Sequence, residues 1–212
     1  TQFWNAPSGK QMAVLLERLR ALPECEKVSA GKNSPINLSK YGISTDGKEI
    51  NSYLRLSELD SMAMQMLGFK VLEKYSNPTK GKLWITQETK RAYGVSRKKT
   101  RIGSKENGHQ YEVCGIIANY HSGDALTSLD ANDHNGIQVS SGTAGTYIAL
   151  IKTRGDHTLA LQAIRKTCKQ VAKELTGIPA DMDIWYIDDM LNDRLKDNRN
   201  MMMLILTFML SL

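Results

Sequence analysis

Cysteine is scarce in this 212-residue chain, and its placement excludes most cysteine chemistry. Cys25, Cys114 and Cys168 are odd in number, widely spaced and without a CxxC pair. Neither a structural zinc site nor a thioredoxin-like dithiol is supported. A disulfide framework needs more cysteines in a shorter chain, so three buried free thiols are the better reading, with one disulfide left open. Proline and glycine total 21, too few for a collagen-like or low-complexity segment. No repeat of about 20 to 50 residues is present, which excludes solenoids. There are only four histidines, and none falls in an HExxH or a His/Cys cluster with metal-ligand spacing.

What is present is close to a soluble globular average, with 41% apolar and 24% charged residues. The length suits one ordinary domain or two small subdomains with a real core. The chain opens on Thr1, read as the start of a processed or excised piece. Net charge is +6, and a basic balance invites a nucleic-acid reading. Arg97, Lys98, Lys99 and Arg101 hold four of those charges in one stretch. That stretch lacks the interleaved aromatics of a single-strand groove, so a solvated loop is favoured over an anion-binding patch and no nucleic-acid partner is expected.

The last twelve residues, 201–212, read MMMLILTFMLSL and carry no charge. A bilayer-spanning helix needs about 20 apolar residues. Two readings compete: a buried helix of a soluble domain, or the start of a membrane-spanning helix. A core helix shows polar residues on its wet face, and this run is apolar all round after the densely charged NDRLKDNRN. The pattern favours the membrane reading.

Hydrophobic periodicity predicts a helix from about Ser8, with Met12, Leu15, Leu16, Leu19 and Leu22 on one face and Pro23 as its stop. KVSA is a short strand, and alternation in EINSYLRL predicts another. Ser57 and Asp60 read as a capping box for a helix with Leu59, Met62, Ala63, Met66 and Leu67 on one face, closed by Gly68. The middle of the chain is β-rich: FKVLEKY, LWIT, QYEVCGIIANYH and GIQVS are strands, and Gln87 to Tyr93 is a short helix ending at Gly94. TYIALIKT reads as a strand covered on both faces. A long helix follows, capped by Thr158, with Leu161, Ile164, Cys168, Val171 and Leu175 as its stripe and Gly177 and Pro179 as its end. DIWYID reads as a further strand, completing a βαβ-type unit.

The expected class is therefore α+β: an α/β subdomain built from residues 1 to about 56 and 146 to 200, with a more β-rich insertion between them. Catalytic motifs fail one by one. Asp130, Asn132 and His134 echo a calcium loop, but Gly136 is one residue late and Ser141 stands where Glu is needed. Ser8-Gly9-Lys10 lacks the first glycine of a phosphate loop. GTAGT at 142–146 lacks GxGxxG spacing. His121, Ser122 and Asp124 have no nucleophile elbow. Asp188 and Asp189 read as a helix cap rather than an acid/base pair. No catalytic, cofactor-binding or metal residues are assigned.

The succession resembles the MacB-like periplasmic core domain of FtsX-type ABC transporter permeases. The likeness rests on RLRALPECEKVSAGKNSP, LRLSELDSMAMQMLGFKVL, LWITQETKRAYGV, YEVCGIIANYHSGDAL and DIWYIDDMLNDRLKDNRNMMMLILTF, in order along nearly the whole chain. Glu24-Cys25, Gly68-Phe69-Lys70 and Gln87 depart from the family's pattern. The resemblance implies a porter-like subdomain from residues 1–56 and 146–200, an inserted Sabre-like subdomain at 57–145, and the start of a transmembrane helix at 201–212. It implies a non-enzymatic domain on the periplasmic side of the inner membrane, without a cofactor. Its partners would be a cytoplasmic ABC ATPase, a second permease protomer, a periplasmic or outer-membrane protein, and the membrane through flanking helices. The alternative is a soluble binding module with an apolar C-terminal dimerisation helix and a basic contact patch.

Overall fold

The computed structural model describes residues 9–32, 39–43, 52–103, 110–120, 133–140 and 148–179, with Asp183, Ile184, Tyr186, Ile187 and Lys196. Among the described residues four helices and nine strands are delimited, an α+β fold. In chain order they are α1 (Gly9–Arg20), β1 (Cys25–Gly31), β2 (Ser39–Ile43), β3 (Ser52–Leu59), α2 (Ser61–Met66), β4 (Val71–Lys74) and β5 (Leu83–Thr86). There follow α3 (Gln87–Tyr93), β6 (Arg101–Ile102), β7 (Tyr111–Ile117), β8 (Asp133–Val139), β9 (Ile148–Thr153) and α4 (His157–Thr176).

The sheet is mixed, in the order β4-β7-β5-β8-β3-β1-β9, with β2 beside β3 and β6 beside β7. Pairs β3/β8 and β5/β7 are parallel, and the other pairs are antiparallel. Strand β3 joins the two regions of the sheet. One of its edges pairs with β8 from Tyr53 to Leu59. The other is divided, with Ser52 to Leu56 on β2 and Leu59 opposite Gly31 of β1.

Alternation along the strands separates the core into clusters. Leu54, Leu56, Leu83, Ile85, Val113 and Ile116 pack with Tyr93 of α3. Leu59, Trp84, Cys114, Ile117 and Ile137 pack with Ala63 and Met64 of α2. The third cluster joins Met12, Leu15, Leu16 and Leu19 of α1 to Val28 and Ala30 of β1 and to Ile164, Cys168 and Val171 of α4. A twelve-residue helix is marginal alone. Burying three α1 leucines at 1% exposure or less, each worth about 2 kcal/mol, holds it in place.

Several expectations need correcting. Ser57 is fully buried within β3, and the cap of α2 is Asp60, whose carboxylate accepts from Ala63 N at 2.7 Å and from the Ser29 hydroxyl of β1. Helix α2 is only six residues long, so Leu59 stays in the strand, and Met64 rather than Met62 is buried. The cap of α4 is Asp156, accepting from Thr158 N and Leu159 N at 2.8 and 2.9 Å. Its buried stripe runs through Ala160, Ile164, Cys168, Val171 and Ala172, and Leu175 is exposed. Among the described residues β9 pairs with β1 alone and is half-buried. Asp183, Ile184 and Tyr186 are not in a strand, and Tyr186 instead donates to His157 O at 2.5 Å.

Gly115 lies at the tightest point of the sheet, on β7 opposite Lys74 of β4 and Trp84 of β5. A Cβ there would collide with the Glu73 carbonyl and the Trp84 ring. Gly115→Val is expected to destabilise the fold by about 3 kcal/mol, because backbone cannot move aside as a flexible side chain can. Urea unfolding followed by tryptophan fluorescence measures it, and a loss under about 1 kcal/mol would mean that β4 is easily displaced.

Candidate functional site: a basic face at one end of the sheet

Helix α3 begins where Thr86 at the end of β5 accepts from Thr89 N at 3.2 Å, and it ends at Gly94, whose φ of 58° closes the helix. The chain then turns back on itself. Ser96 and Lys99 exchange backbone hydrogen bonds at 3.0 Å in both directions, leaving Arg97 and Lys98 at the tip. Tyr93 and Val95 before the turn and Ile102 after it are buried in the core. Arg97, Lys98, Lys99 and Arg101 are exposed. The basic stretch is thus a solvated turn with an anchored base.

Its neighbours are also basic. Between Lys70 and Glu112 the sequence has eleven Lys or Arg against four Asp or Glu, a net +7 that exceeds the +6 of the whole chain. Lys90 on α3 pairs with Glu73 on β4, and Lys82 pairs with Glu112 on β7 at 2.7 Å. Lys99 Nζ donates to the Tyr93 carbonyl at 3.2 Å. Arg91, Arg97, Lys98 and Arg101 make no ion pair with another described residue. Arg101 borders a shallow depression with Gln110, Tyr111 and Glu112. Counting only Arg97 to Arg101 misses Lys74, Lys82, Lys90 and Arg91, which other elements supply. A charge count over a wider window would have found the stretch from Lys70 to Glu112.

A polar cluster lies beneath α3. Thr86 and Thr89 share a hydroxyl hydrogen bond of 2.8 Å, Thr89 Oγ1 donates to Asn135 O at 2.9 Å, and Asn135 Nδ2 donates to Tyr120 O at 3.3 Å. These bonds tie α3 to β8 and to the exit of β7, a structural role. His134 lies within β8 with its ring edge-on to Tyr93 at 5.2 Å, so Asp133 to Gly136 are strand rather than a loop of the kind a calcium site uses. Gly9 and Lys10 open α1. No group of three or more His, Cys, Asp or Glu among the described residues could hold a metal. Burial pushes the thiols of Cys114 and Cys168 up to about 11 and raises that of Cys25, which removes their nucleophilic thiolate form near neutral pH. Ser8, His121, Ser122, Asp124, Asp130, Asn132, Ser141, residues 142–146, Asp188, Asp189 and residues 201–212 lie outside the described residues. No helix among the described residues is long and apolar enough to cross a membrane.

No protein-family model matches the chain, and no curated protein does. Among solved structures, the periplasmic region of MacB from Actinobacillus actinomycetemcomitans matches with a TM-score of 0.51 at 11% identity, over 85% of this chain and 81% of that one. The fold is that of the MacB periplasmic region. The extracellular domain of the noncanonic ABC-type transporter YknZ from Gram-positive bacteria gives 0.49 at 11% identity, over 80% and 88% of the two chains. The resemblance to the MacB-like domain, read from short motifs, therefore meets a matching fold.

Glu73 organises the basic face. Hydrogen bonds from Lys90 and then from Tyr75, the latter at 3.0 Å, hold its carboxyl below the ordinary value of 4.5. Because the folded-state value is lowered, the stabilisation is present above the unfolded value and lost as pH falls through the folded one. Side-chain carbon NMR is expected to place the Glu73 titration below 4.5, with Lys90→Ala moving it upward. A wild-type titration at or above 4.5 would break this assignment.

Proposed function

We propose that the chain is the extracytoplasmic domain of an ABC transporter permease, a non-enzymatic element that couples ATP hydrolysis in the cytoplasm to export of a peptide or lipoprotein, or to envelope signalling. The fold shared with the MacB periplasmic region over 85% of the chain carries this reading. In it, residues 1–56 and 146–200 form the porter-like part, and residues 57–145 form the inserted part. The run 201–212 begins a membrane span, on the periplasmic side of the inner membrane. The segment from Asp188 to Arg199 joins the domain to that span and transmits its movement. A cytoplasmic ABC ATPase, a second permease protomer and a periplasmic or outer-membrane protein are the partners. The absence of a recognisable catalytic motif suits a domain whose energy comes from an ATPase elsewhere.

The parent reading frame tests the proposal. An apolar span of about 20 residues should precede Thr1, and the run at the end should continue past Leu212 to similar length. A frame that stops near Leu212, or goes on as polar sequence, would remove the permease reading. A chain ending at Arg199 supplies a second measurement. It is expected to keep the thermal transition and oligomeric state of the 212-residue chain. Loss of either would favour the soluble module, whose apolar tail is a core or dimerisation helix.

A further inference from the structure

We infer that the basic face around the 96–99 turn docks an acidic surface of a protein partner. Three observations carry this. First, the cations are presented on a fixed base. The Ser96/Lys99 pair closes the turn, and Val95 and Ile102 anchor its two stems, so little loop ordering remains to oppose binding. Secondly, the residue types suit carboxylates. Arg97 and Arg101 offer planar forks for bidentate hydrogen bonds, half-buried Tyr111 lines the same depression as Arg101, and half-buried Tyr75 donates to Glu73, a combination of arginine and tyrosine enriched at protein interfaces. Thirdly, Glu73 and Glu112 form their ion pairs with Lys90 and Lys82. Arg97, whose charge acts on Glu73, and Arg101, across the strand from Glu112, stand with Arg91 and Lys98 outside those pairs, and the cations outnumber the carboxylates here.

Lipid is the competing anion, and two features disfavour it. Among the described residues from Tyr93 to Glu112, which bear the turn, no large apolar side chain is exposed to enter a bilayer; the exposed Val71 and Leu72 are on β4. Strand β7 is also five strand spacings, about 24 Å, from β9. Helix α1, the first described element, lies in the layer beside β1 and β9, and Tyr186, past α4, is held by the start of that helix. If the two chain ends lead into the membrane, β7 is separated from the strand nearest them by about three Debye lengths at physiological salt. That last argument rests on the permease reading, whereas the first does not.

The test uses the 212-residue chain, fluorescein-labelled decaglutamate and phosphatidylglycerol/phosphatidylcholine vesicles. Two variants of equal charge change are compared, R97E/K98E/R101E on the face and R165E/K166E/K173E on exposed positions of α4. Anisotropy is expected to show decaglutamate binding that weakens about tenfold in the face variant, as three modest surface ion pairs would give, and about twofold or less in the α4 variant. Absence of binding, or equal weakening in both variants, overturns the proposal. So does vesicle flotation that is lost in the face variant, which would assign the cations to lipid. If charge reversal disrupts the turn by circular dichroism, R97Q/K98Q/R101Q replaces it and must weaken binding in the same order. None of these readouts uses the parent frame, so their failure leaves the permease reading standing. A frame without membrane spans leaves the peptide result standing.

Discussion

Everything else in the architecture depends on the pairing of one strand. Strand β3 gives one edge to β8 and shares the other between β2 and the end of β1. Its alternation divides its side chains in the same way. Leu54 and Leu56 enter the cluster under α3, while Leu59 enters the cluster under α2. A slip of one residue would exchange those faces and place Arg55 in the core. Register is therefore strongly determined here. The close approach of Gly31 to Leu59 adds to it, because a Cβ on Gly31 would lie 2.8 Å from Leu59 Cδ2 and 2.9 Å from the Glu58 carbonyl.

The carboxylate of Asp60 extends this constraint to the third dimension. It caps α2 and accepts from Ser29 on β1, so one side chain fixes where the strand ends, where the helix starts and which strand lies beneath. The α2 layer is tied in this way to β1, while α1 and α4 cover β1 with a separate cluster. Displacing β1 would therefore disturb both α2 and the α1 and α4 layer.

Much of this was legible in the sequence, and the rest was not for physical reasons. The apolar stripe of α1, the strands LWIT and QYEVCGII, and the helix from Gln87 to Tyr93 were readable because each carries a strong period or a glycine stop. Caps were harder. Ser57 and Thr158 have the right chemistry, but Asp60 and Asp156 sit closer to the first free N–H groups and offer charged acceptors. The strand expected in DIWYID failed at Asp183, Ile184 and Tyr186 because local apolar content does not say what a segment packs against. Tyr186 is held by the start of α4. The basic turn was visible as RKKTR, but the wider face was hidden because β4, the residue before β5 and α3 supply its remaining cations from separate stretches.

Strand β4 has a bearing on self-association. Among the described residues it is one edge of the sheet, and it exposes Val71 and Leu72, a composition that invites another strand. It is four residues long, is bulged between Val71 and Glu73, and is flanked by Lys70 and carries Lys74. Two copies meeting antiparallel about Leu72 would set Lys70 of each against Lys74 of the other. Repulsion and irregular spacing therefore guard an open edge that a longer, flatter strand would leave as a template for aggregation.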